Sequence, residues 1–274
     1  MANDDVTGRE AGASAPPAFL VLDTESVPDG RLLARIKYAN EALSPEEAIC
    51  RAQAEAREKS RDGSDFLPVS FQVPIAVCVV RVGSDFALQA ITCLDAPEFR
   101  PGEIVKKFWL GLGRLRAKLV TFNGRGFDLP LLELAAFRYG CTGRDYFQNS
   151  RNRYNSNHID LCDWMTNYGA IRLSGGLNLL SKILGKPGKM GISGDQVYSY
   201  YQQGKLQAIN DYCMCDTLDT YFVFLRSRVL TGELTLEEEH EIVARTKSWL
   251  TGKVAELPAL QSYLDNWGDW QPWP

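Results

Sequence analysis

Histidine is nearly missing from this chain: among 274 residues, only His158 and His240 are histidines. That inventory excludes a His-rich zinc site or a repeated imidazole relay. Cysteine occurs seven times (Cys50, Cys78, Cys93, Cys141, Cys162, Cys213 and Cys215), yet no two form a C-x-x-C pair. The odd count suits no complete disulfide framework, and most of these positions read as small core residues in a reducing compartment. No apolar run approaches the roughly 18 residues that would cross a bilayer, so no membrane association is expected. The first 15 residues lack the basic start and apolar stretch of a signal peptide, and they read as a disordered tail. A cytoplasmic protein is the expectation. Positive charge is also in short supply, with 30 Lys and Arg against 34 Asp and Glu and a formal net charge of -4. This balance argues against a protein that coats a polyanion without specificity, but not against an enzyme whose acidic site is neutralised by bound cations.

What is present is an ordinary globular composition, 45% hydrophobic and 23% charged, long enough for one large α/β domain or two small ones. The chain is organised around Phe19-Leu20-Val21-Leu22, an apolar run that leads straight into Asp23-Thr24-Glu25-Ser26. Such a run, introduced by Pro16 and Pro17, predicts a buried strand. Residues two apart on a strand share a face, so Asp23 and Glu25 present their carboxylates together. Two carboxylates at the end of an apolar strand repel each other and lose solvation, which a cation or a shared proton would offset. Taken alone, D-x-E also fits a strand that ends in a polar turn.

Along the chain, Val27-Pro28-Asp29-Gly30 is a turn signal, and Ser44-Pro45-Glu46-Glu47 opens a helix running to about Lys59. That helix is poor in large apolar residues, so the region from about 31 to 65 reads as a surface insertion. Strands over 72–81 and 86–94, separated by Val82-Gly83-Ser84-Asp85, predict an antiparallel hairpin. Pro101 starts a helix with Ile104, Val105, Phe108, Trp109 and Leu112 on one face. A short strand over 118–122, a helix over 129–139 stopped by Gly140, and a short strand at 158–161 follow. Beyond them lie helices near 176–184, 194–203, 206–230 and 236–250. The expected fold is an α/β, ribonuclease H-like mixed sheet, with three leading strands and then parallel strands, flanked by helices. One domain over 16–256 is expected, followed by a Trp-rich tail over 257–274.

Two further carboxylates stand out, one at a helix start and one inside a late helix. Asp128 opens the 129–139 helix and, alone, reads as an N-cap favoured by the helix dipole. Tyr212 and Asp216 share a face of the 206–230 helix, and alone they read as a structural hydrogen-bonded pair. Together, Asp23, Glu25, Asp128 and Asp216 offer four hard oxygen donors that suit Mg²⁺ or Mn²⁺. Two such ions about 4 Å apart serve phosphodiester cleavage, with Tyr212 orienting the attacking water. A haloacid-dehalogenase phosphatase would need D-x-D, which Glu25 breaks.

The segments Asp23-Thr24-Glu25, Asn123-Gly124-Arg125-Gly126-Phe127-Asp128 and Tyr212-Cys213-Met214-Cys215-Asp216 resemble the three motifs of the DEDD 3′-5′ exonucleases. More closely, with His158-Ile159-Asp160-Leu161 and Gly185-Lys186-Pro187-Gly188-Lys189, the chain resembles the predicted exonucleases related to the proofreading domain of family B DNA polymerases. The resemblance spans roughly 19–230. Asp211 stands where one branch carries a His, and Tyr212 fills the "y" position, so the DEDDy type is implied. The resemblance implies that Asp23, Glu25 and Asp216 ligate the first metal, with Asp23 bridging to a second held by Asp128. It also implies that Thr24, Asn123 and Phe127 line the pocket of a 3′-terminal nucleotide. His158 is a candidate for a substrate contact or a structural hydrogen bond, and Lys186, Lys189, Arg125 and Arg172 are candidates for phosphate. The expected activity is metal-dependent 3′-5′ hydrolysis of single-stranded nucleic acid, DNA before RNA, with two Mg²⁺ or Mn²⁺ ions. The alternative is an inactive binding module of the same fold.

Overall fold

The computed structural model describes residues 15–61, 63–152, 157–191 and 193–272. Most of the expected N-terminal tail, the middle of the 151–157 loop and Trp273 lie outside the described residues. The run at Phe19 forms the central strand, β1 (Phe19–Pro28). On one side it pairs antiparallel with β2 (Gln72–Val82), which pairs antiparallel with β3 (Leu88–Cys93). On the other it pairs parallel with β4 (Lys118–Thr121), which pairs parallel with β5 (His158–Asp160). The resulting order, β3-β2-β1-β4-β5, is the ribonuclease H-like mixed sheet expected from three leading strands followed by parallel ones.

The two faces of β1 bury different partners. Leu20 and Leu22 join the core under α3 (Pro101–Leu115) and α4 (Asp128–Tyr139), with Ile104, Phe108 and Trp109 contributed by the predicted apolar stripe of α3. Val21 joins the core on the opposite face, under α8 (Leu206–Leu230). α8 lies on the sheet and is flanked by α6 (Gly176–Ile183) and α7 (Val197–Gln202). Its outer side is covered by α9 (Leu236–Lys253) and α10 (Ala259–Asp265). A helix enclosed on both sides carries little amphipathic signature, and Phe222 and Phe224, both fully buried, each stabilise it by about 1.5–3 kcal/mol. Among the described residues no helix is long and apolar enough to cross a membrane.

Several elements depart from the sequence expectation. β1 continues through Pro28, and the turn is taken by Asp29, whose carboxylate accepts from the Leu32 N–H at 3.0 Å. That caps an additional helix, α1 (Gly30–Ile36). Gly30 is required there, because a Cβ would lie 2.3 Å from the Pro45 carbonyl oxygen at the start of α2 (Pro45–Lys59). α2 begins with the anticipated capping box of Ser44 and Glu47. α1 and α2 enclose Leu33, Tyr38, Ile49 and Leu67, so this segment has a small core of its own. Phe86 sits in the hairpin turn with φ of 60°, and β3 starts only at Leu88. Residues 194–203 form a 3-10 turn followed by α7 rather than one helix. After residue 257 the chain forms α10, and Trp267 packs edge-on against Phe222 at 4.9 Å.

Candidate active site

Asp23 and Glu25 lie in line with Val21 and therefore face α8. Cys213 holds that helix to the strand, its Sγ 3.3 Å from the Asp23 backbone carbonyl oxygen that accepts from it. Nearly one turn further along α8, Asp216 enters the same space. Carboxylate oxygens of Asp23, Glu25 and Asp216 lie within 4.8 Å of one another. Tyr212, four residues before Asp216 and only 8% exposed, directs its hydroxyl at the Asp216 carboxylate. Asp128 approaches from the α4 side and stands just outside this triplet. It is the first helical residue rather than the N-cap, a place taken by Phe127. Its carboxylate is thereby left to accept from Thr24 Oγ1 at 2.7 Å. Thr24 sits between Asp23 and Glu25 on the opposite face of β1, so strand alternation ties the two sides of the site together.

Burial raises Asp23 and Glu25 well above the usual carboxylate range, and their acidic neighbours raise them further: chiefly Asp128 for Asp23 and Asp216 for Glu25. Burial also lifts Asp128 to about 7, against the opposing Thr24 hydrogen bond. Asp216 is lifted to about 6, again by burial, with the Tyr212 hydroxyl and Lys189 pulling the other way. Four acids that resist ionisation in each other's company fit a cation, which replaces their lost solvation and cancels their repulsion. The donors are all carboxylate oxygen, which fits a hard divalent ion such as Mg²⁺ or Mn²⁺ better than zinc.

The loop that delivers Asp128 is pinned from β5. The Asp160 carboxylate accepts the backbone N–H groups of Asn123 at 2.9 Å and Arg125 at 2.8 Å. It also caps α5 (Leu161–Met165), accepting from Cys162 at 3.1 Å and Asp163 at 3.3 Å. Asn123 turns with φ of 64° and is exposed. Gly124 packs so closely that a Cβ would lie 2.3 Å from Thr121 Oγ1. That same hydroxyl lies 2.8 Å from His158 Nε2. His158 is 5% exposed, and burial first, then Arg125, hold its pKa down to about 3, so it is a neutral interior residue. Arg125 lies 3.5 Å from the Asp163 carboxylate and donates to the His158 carbonyl at 3.2 Å. Phe127 is half-buried beside Phe66.

The two lysines of the 185–189 loop separate. Lys186 is buried, with its ammonium 4.3 Å from the Trp267 ring centroid and donating to the Leu184 carbonyl at 3.1 Å. It therefore anchors the C-terminal segment instead of meeting phosphate. Lys189 is exposed and acts electrostatically on Glu25 and Asp216. A cavity of about 190 Å³ opens against Tyr212 and Asp216, walled in part by Met190 and by Ala259 and Ser262. That α10 reaches the site is not legible in the sequence, since a seven-residue helix has no period to read. The contact of Phe66 with Phe127 was not anticipated either. Its signal is a lone aromatic in a polar loop, Gly63-Ser64-Asp65-Phe66.

A family model described as "Predicted 3'-5' exonuclease related to the exonuclease domain of PolB" matches residues 64–267. The match includes Asp128, Tyr212 and Asp216 and begins after β1, so the placing of Asp23 and Glu25 rests on geometry. Among solved structures, the chain is similar to the family B DNA polymerase from the hyperthermophilic archaeon Pyrobaculum calidifontis, at 14% identity and a TM-score of 0.49. That alignment covers 80% of this chain and 25% of the polymerase, so the chain spans about a quarter of that protein's length at most. No curated protein matches the chain.

Proposed function

Because the chain belongs to the family of predicted 3′-5′ exonucleases related to the exonuclease domain of PolB, we propose that it is a DEDDy-type nuclease acting on single-stranded 3′ ends. The observation that carries this reading is the triplet of Asp23, Glu25 and Asp216, within 4.8 Å of one another, with Asp128 beside it. Asp23, Glu25 and Asp216 would hold one divalent ion, and Asp23 with Asp128 a second. Bound there, the ions supply the Lewis acidity that activates water and neutralises charge developing on the phosphate. The protein's own contribution is placement. Thr24 Oγ1 fixes the Asp128 carboxylate, Cys213 fixes the Asp23 backbone, and Asp160 fixes the loop between β4 and α4. Tyr212 Oη, held at the Asp216 carboxylate, would orient the attacking water. Asn123 and Phe127 border the same edge and are assigned to the terminal nucleotide. Lys189 offsets part of the acidic charge facing the incoming phosphate.

Release of acid-soluble nucleotide from single-stranded DNA tests the reading. After EDTA stripping, activity is expected to return on titration with Mg²⁺ or Mn²⁺, and Tyr212→Phe is expected to lower kcat roughly 100-fold with little change in KM. Activity that survives EDTA, or a Tyr212→Phe effect confined to KM, would count against the assignment. Tight oligonucleotide binding without release under any metal would favour an inactive binding module.

A further inference from the structure

Phe66 is 56% exposed, although the next residue, Leu67, is 3% exposed and closes the small core between α1 and α2. The backbone at this point is fixed. Gln72 Nε2 donates to the Leu67 carbonyl at 3.1 Å, and Ser26 Oγ donates to Gln72 Oε1 at 3.2 Å. Gln72 itself pairs with Pro28 at the end of β1. Phe66 is thus held rigidly near the strand end that carries Glu25. Its ring meets Phe127 edge-on, with centroids 5.6 Å apart and planes at 61°. Phe127 immediately precedes Asp128. Two aromatic rings from distant parts of the chain therefore meet one residue from Asp128, one of them with over half of its surface open. What sets Phe66 apart from the other exposed apolar residues is its contact with the ring next to Asp128, and a fixed aromatic face there is what an unpaired base of any identity requires.

We propose that Phe66, braced against Phe127, adds the stacking face that seats the terminal base of a single-stranded 3′ end, which makes the 30–71 segment part of the substrate-binding surface. The proposal rests on the exonuclease reading for the polarity of the substrate. An oligonucleotide with 2-aminopurine as its 3′-terminal base, titrated with the full chain in Ca²⁺, tests it, with the same reporter base at an internal position as control. Stacking quenches the terminal reporter. Phe66→Ala is expected to abolish that quench and weaken Kd about five-fold or more, Phe66→Trp to restore both, and Phe66→Leu to restore neither. An unchanged quench and Kd in Phe66→Ala, or rescue by Leu as complete as by Trp, would overturn the proposal. Parallel digestion in Mg²⁺ separates the two ideas. Cleavage by wild type without terminal quench leaves the exonuclease reading standing and removes this seat. Terminal quench without cleavage keeps the seat and removes the nuclease.

Discussion

At the scale of single residues, the site is a set of side chains placed against their own stability. Asp23 is repelled by Asp128, Glu25 and Asp216 in a setting that also deprives it of water. Replacing it with Asn keeps the volume and removes a repelled charge. In EDTA, Asp23→Asn is expected to raise stability by about 1 kcal/mol, or about 2–4 °C in Tm by thermal melting, while abolishing activity. Saturating Mg²⁺ is then expected to raise the Tm of wild type and to leave the variant nearly unmoved, since only wild type gains binding energy in the folded state. A variant that melts lower than wild type without metal would mean that the carboxylates satisfy one another, and the cation argument would fail.

At the scale of elements, two buried aspartates hold the pieces that surround the site. Asp160 gathers four backbone N–H groups from two segments. Asp160→Ala leaves them without a partner, and a loss of about 3 kcal/mol in chemical denaturation is expected. A loss no larger than that of an ordinary cap, about 1 kcal/mol, would show that the 123–127 loop is held by other contacts. Asp219 joins α8 to α10 by accepting from Tyr263 Oη at 2.7 Å. Burial pushes its carboxyl up to about 7 from an ordinary 3.8. Because the folded chain holds this proton more tightly than the unfolded chain, the stability it contributes is complete below about pH 4. That contribution falls as pH rises and is gone above about pH 7. Asp219→Asn keeps an acceptor for Tyr263 and removes the titration. Relative to wild type, it is expected to gain stability between about pH 4 and 7 in denaturant titrations and to level off above. A difference independent of pH would contradict the raised carboxyl.

At the scale of the whole molecule, what was legible in the sequence follows physical periods and residue chemistry. β1 announces itself by a continuous apolar run, because both its faces are buried, and α3 by the one apolar stripe of Ile104, Val105, Phe108, Trp109 and Leu112. The juxtaposition of Asp23, Glu25 and Asp216 was legible because acids on apolar elements demand a reason and the expected sheet brings those elements to one edge. Elements whose order comes from tertiary contact were not legible. α1 depends on Gly30 meeting Pro45, and α10 depends on Tyr263 reaching Asp219. Nor does the composition of Gly185-Lys186-Pro187-Gly188-Lys189 say which lysine turns inward. In the proposed function these elements converge to hydrolyse a single strand from its 3′ end with divalent ions. The direct measurement is digestion of 5′-labelled single-stranded DNA and RNA of equal sequence, by wild type and Asp216→Asn, in Mg²⁺, Mn²⁺ or EDTA. A ladder that shortens one nucleotide at a time from the 3′ end, absent in EDTA and in the variant and stronger on DNA, is the predicted result. A label released at once as mononucleotide, internal cuts, or a ladder that persists in Asp216→Asn would contradict it.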